Sequence, residues 1–73
     1  MVINFKEGFR IDVKALNVQK STLISVIHEK RHSEDEIAAL EADQLDGLLH
    51  LIDAIQDHIV DDMGYPEHQI FGA

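Results

Sequence analysis

The 73-residue chain has no cysteine, no tryptophan and a single proline, and beyond Arg31 it has neither lysine nor arginine. The lack of cysteine excludes disulfide staples and thiolate-held zinc, so a small core must be held by close packing or by a partner chain. No stretch approaches the roughly 18 consecutive apolar residues of a membrane-spanning helix. The opening Met1-Val2-Ile3-Asn4-Phe5-Lys6-Glu7 also lacks the basic-then-apolar order of a secretory signal. These absences lead to the expectation of one small cytoplasmic domain over 1–73 with no membrane contact. Catalytic apparatus is equally scarce. There is no thiol nucleophile, no glycine-rich phosphate loop and no G-x-S-x-G elbow, and a chain this short has little room for a substrate pocket beside its core. A non-enzymatic protein without a cofactor is expected.

What the sequence does have is charge, unevenly placed. The net charge is −8. Residues 1–32 carry all six cations against Glu7, Asp12 and Glu29, whereas residues 33–73 carry eleven carboxylates and no cation. The halves can neutralise one another by packing together, or the second half can present an acidic surface to a partner. A net negative chain is repelled by phosphate backbones, which argues against direct nucleic-acid binding.

Phe9-Arg10-Ile11-Asp12-Val13-Lys14-Ala15 alternates apolar and charged residues, the period of a strand, and Ile3 and Phe5 alternate likewise upstream. Lys6-Glu7-Gly8 lies between the two runs, with glycine where a three-residue hairpin loop needs positive φ. The pattern predicts a β-hairpin over 2–15. Phe5, Phe9, Val13 and Leu16 also fit a helical spacing, which keeps an all-helical bundle as the alternative. Asn17 to Ser21 reads as a polar link, followed by a helix over 21–32 capped by Ser21, although the β-branched content of 22–28 also allows a strand. Ser33-Glu34-Asp35-Glu36 matches a capping box and starts a long amphipathic helix over 34–63, with Glu41-Ala42-Asp43 as a possible bend. Gly64 and Pro66 supply its stop. The expected class is α+β: a hairpin, then two helices, with 64–73 a tail that either packs back or stays mobile.

Placed at 100° per residue, Asp43, Asp46, Asp53, Asp57 and Asp61 share an arc of roughly 80° on the long helix. Asp46, Asp53, Asp57 and Asp61 are the candidate partner-binding residues of that acidic face. All four aromatics lie near the chain ends. Either the tail folds back onto the hairpin, or Tyr65, Ile70 and Phe71 act as anchors for a partner pocket. The wide apolar face over 45–63, with a Gly47/Ala54 seam that lets another helix approach, admits a homodimer as well as a monomer.

His28-Glu29-Lys30-Arg31-His32 resembles the H-E-x-x-H signature of the zincin metallopeptidases over five residues. The resemblance implies zinc held by His28 and His32 with Glu29 as the base. Lys30 and Arg31 oppose a dication at that spot, and the helix ends at His32, so a metal-binding protein or minimal zinc hydrolase is the alternative reading. The favoured reading is a protein-interaction module, a small regulator or inhibitor of a larger basic protein that handles nucleic acid, such as a polymerase or nuclease.

Overall fold

The computed structural model describes residues 1–72. Strand β1 (Val2–Asn4) pairs antiparallel with β2 (Arg10–Asp12) in the register Val2 to Asp12, Ile3 to Ile11 and Asn4 to Arg10. Helices α1 (Val13–Arg31), α2 (Glu36–Asp61) and α3 (Glu67–Ile70) follow. The class is α+β, with the hairpin first and the longest helix second of the two main ones.

The hairpin loop is the three-residue type. Gly8 takes φ 95°, the Phe9 carbonyl accepts from the Phe5 N–H at 3.0 Å, and the Phe5 and Phe9 rings stack with centroids 4.4 Å apart. The second strand is shorter than its alternation suggests. The Asp12 carboxylate accepts from the backbone N–H groups of Lys14 at 3.1 Å and Ala15 at 3.3 Å, which caps a helix and turns the chain at Val13. Val13 and Ala15 are therefore helical and do not extend the strand face of Phe9 and Ile11.

Helix α1 begins eight residues before the expected Ser21, and residues 17–21 lie inside it as helix, not as a link. Its inner side runs Val13, Leu16, Asn17, Lys20, Leu23, Ile27 and Lys30, a 3.6-residue period in which polar residues interrupt the apolar pattern. Residues 22–28 are helical throughout. Helix α2 is capped by Asp35, whose side chain accepts from the Ile37 N–H at 3.0 Å, while Ser33 Oγ accepts from the Asp35 N–H at 3.1 Å. The cap thus sits two residues later than the box pattern places it. The helix passes through Glu41-Ala42-Asp43 without a break, Ala42 being fully buried.

Gly64 takes φ 78° and the Tyr65 N–H turns back to the Ile59 carbonyl at 3.3 Å, so the tail folds over the hairpin. Ile3, Val13, Ile59 and Ile70 form the core, with Phe5, Val60, Met63, Tyr65 and Phe71 packed around them. This core lies at one end of an elongated molecule of 43 × 26 × 18 Å. The 26 residues of α2 span about 39 Å, so the hairpin and tail cover only part of its length. No helix among the described residues is long and apolar enough to cross a membrane.

Among the described residues, one polar side chain is fully buried. Gln56 donates from Nε2 to Asn17 Oδ1 at 3.0 Å and to the Ile70 carbonyl at 3.1 Å, and its Oε1 accepts from Lys20 Nζ at 2.9 Å. Asn17 Nδ2 also donates to the Ile70 carbonyl, at 2.9 Å. Lys20 forms an ion pair with Asp53 and stands 5.2 Å from the centre of the Phe71 ring. This network joins α1, α2 and the tail. Replacing Gln56 with Ala is expected to cost about 1–3 kcal/mol by orphaning these buried groups. Ile70→Ala is expected to cost about 2–5 kcal/mol. Both are read as a lower urea midpoint with an unchanged slope; an Ile70→Ala protein with the native midpoint would mean that the tail does not contribute to the core.

Candidate interaction surfaces

Helix α2 has three sides. Ile52, Gln56 and Ile59 face inward and are buried. The aspartates occupy one flank and a second set of apolar residues the other, as the 100° spacing requires.

On the acidic flank, α1 supplies cations to part of the row. Lys20 pairs with Asp53, and Arg31 Nη2 lies 3.3 Å from Asp43 and 3.9 Å from Asp46. Lys30 Nζ reaches Glu41 at 3.0 Å, further round the same helix. The two halves of the chain therefore neutralise one another in part. Asp46 and Asp53 remain partly accessible, but both already have partners. Asp57 and Asp61 are exposed and take part in no ion pair among the described residues. The neighbouring Asp62 lies 2.7 Å from His58 Nδ1. The four sequence-derived acids thus share a flank and divide into a paired couple and an open couple.

The H-E-x-x-H residues sit at the last turn of α1. The His28 and His32 rings lie 4.1 Å apart, tilted by 44°, and His32 Nδ1 is 2.8 Å from the His28 carbonyl oxygen. A carbonyl can only accept, so that nitrogen carries the hydrogen and the neutral His32 ring keeps only Nε2 to offer a metal. Glu29 is one residue round the helix, some 100° from His28. No group of three or more His, Asp or Glu side chains converges to hold a metal ion among the described residues. Two histidine donors on one exposed turn lack the third ligand of a catalytic zinc centre.

The three tail residues have separate fates. Ile70 is wholly buried, so it serves this chain's own core and is not an anchor offered to another protein. Tyr65 and Phe71 pack against that core and are half-buried.

Gln56 was not singled out from the sequence. It falls in the middle of an apolar arc, and that anomaly was its one signal. The wide apolar face read from the sequence over 45–63 is only partly covered: on the outward flank of α2, Leu48, Leu51 and Ile55 are 46%, 62% and 38% exposed. Along it run a groove of about 510 Å³ that includes Leu16, Leu23, Leu48 and Ile52 and another of about 490 Å³ that includes Phe5, Phe9, Leu51 and Ile55. Their exposed apolar linings suit side chains of another protein better than a polar small molecule.

Metal analysis of protein purified without a histidine tag and dialysed is expected to find zinc well below one ion per chain, because the His28/His32 pair has no third ligand. One zinc per chain, lost on substituting both histidines by Ala, would reverse that assignment. Comparison with family models, with curated proteins and with solved structures finds no match, so the reading of these surfaces rests on their own geometry.

Proposed function

We propose that this chain is a non-enzymatic protein-interaction module whose acidic flank docks on a basic surface of a larger protein, as a small regulator or inhibitor of nucleic-acid-handling machinery would. The carrying observation is the open couple Asp57 and Asp61 on the C-terminal turns of α2. Every cation that α1 directs at α2 is engaged further toward the N-terminus of that helix. Carboxylates at a helix C-terminus face the negative end of the dipole, a placement that disfavours them locally. A rigid row of such charges one helical turn apart has the form of a competitor for a groove that otherwise receives phosphates. The cytoplasm, where such machinery works, is the compartment this reading implies.

The paired acids define a clean experiment. Asp53 holds Lys20, so reversing its charge disturbs the buried network as well as the surface. Asp57→Lys with Asp61→Lys alters only open positions. A partner isolated by affinity purification from the native host and identified by mass spectrometry is expected to bind the double variant at least tenfold more weakly, about 1.4 kcal/mol. Its affinity for the native chain should also fall as salt rises, more steeply than for the variant. Equal affinity and equal salt dependence for the two proteins, with unchanged circular dichroism, would refute the acidic-flank mechanism.

A further inference from the structure

The apolar flank of α2 is too extensive to be incidental surface. Besides Leu48, Leu51 and Ile55, the residues Ile37 and Leu40 are 65% and 64% exposed and Phe9 of the hairpin is 53% exposed. At these exposures the six side chains leave roughly 600 Å² of apolar area in water, the upper end of what a typical monomer shows. Complete burial of two such patches would amount to at most about 1,200 Å², the lower bound of stable, specific interfaces.

We propose that the occupant of this flank is a second copy of the chain, packed antiparallel about a two-fold axis that passes close to Leu51. Around the helix, Leu51 lies midway between the two sides of the stripe. Leu48 and Ile55 stand on the side nearer α1, and Gly47 and Ala54 stand on the side away from it, positions that follow from the 100° spacing. A two-fold axis perpendicular to the helices keeps each side with its own kind. Leu48 then lies beside Ile55 of the second copy, Gly47 beside Ala54 of the second copy, and Leu51 meets itself. A Cβ built on Gly47 would meet nothing within 4 Å in the single chain, so the small-residue side is open to close approach.

The bulky side continues into the groove bounded by Leu16 and Leu23 of α1. Joined in this way, two helical hairpins close as a four-helix bundle whose centre is supplied by the residues now exposed. None of Gly47, Leu48, Leu51, Ala54 and Ile55 is charged. Asp46, Asp53 and Asp57 lie well round the helix from Leu51 and remain outside, while Asp43 and Asp61 border the Ala54 side at the rim, and antiparallel α2 helices set their dipoles in the favourable sense. The match is of the patch with itself, as a two-fold contact demands.

Leu51 is exposed in the single chain, so its replacement tests the interface without removing a core residue. Light scattering of the native protein at micromolar concentration is expected to give twice the 8.3 kDa chain mass. Leu51→Lys is expected to give the single-chain mass with its helical circular dichroism retained. Because the chain has no cysteine, Leu51→Cys introduces its only thiol. On mild oxidation this variant is expected to form a disulfide-linked dimer that melts no lower than the reduced protein, whereas Asp57→Cys on the acidic flank is not. A native protein that keeps the mass of one chain on tenfold concentration would overturn the proposal, as would a dimer that Asp57→Cys cross-links and Leu51→Cys does not.

Discussion

The buried amide of Gln56 fixes where the other elements can sit. Apolar contacts between two helices are non-directional and tolerate several registers. A fully buried amide is less permissive, because each group left without a partner costs the full desolvation penalty. Here both ends of the amide are satisfied by residues distant in sequence: Asn17 and Lys20 from α1, and the Ile70 carbonyl from the tail. Sliding α1 by one turn would remove Asn17 and Lys20 together, and releasing the tail would leave Gln56 and Asn17 short of their shared acceptor. With only Ile3, Val13, Ile59 and Ile70 at the centre of the core, this directional constraint selects one packing from the several that burial alone would accept.

Asp12 plays the corresponding part for the hairpin. It closes the β-ladder opposite Val2 and starts α1 with the same residue's side chain. The Val13 N–H still reaches the Met1 carbonyl at 2.9 Å, so the first helical residue is tied to the first strand. Strand and helix are thus joined without a linker, and Val13 and Ile3 are brought into the core from adjoining elements.

These two residues also explain which parts of the fold were legible in the sequence. Gly8 announced the hairpin loop and Gly64-Tyr65-Pro66 the end of α2, because positive φ and a missing N–H leave few alternatives. The clustering of Phe5, Phe9, Tyr65 and Phe71 at the chain ends left two options, a returning tail or a free one, and the packing of Ile70 against Ile3 is the outcome. The start of α1 was hidden, since Val13 and Ala15 satisfy the strand alternation as well as a helical period, and Asp12 fits either as an outward strand residue or as a cap. Asn17 and Lys20 disguised the next turn as a link because their burial depends on Gln56, a long-range fact that no local pattern records. The acidic arc was visible from helical spacing alone. Which of its members are neutralised was not, for that depends on the side of α2 against which α1 lies.

The side on which α1 lies also separates the two outward flanks of α2. Lys20 and Arg31 reach the aspartates on one side, while Leu16 and Leu23 border the apolar stripe on the other. Charge and apolar area are therefore not interspersed, as they are on an ordinary solvated helix, but sorted by a neighbour that contributes matching chemistry to each edge. Sorting has a physical consequence. A surface that attracts through long-range charge and one that associates through short-range burial respond to different variables, ionic strength for the first and apolar area for the second. Held on separate flanks of one helix, the two kinds of surface do not compete for the same ground.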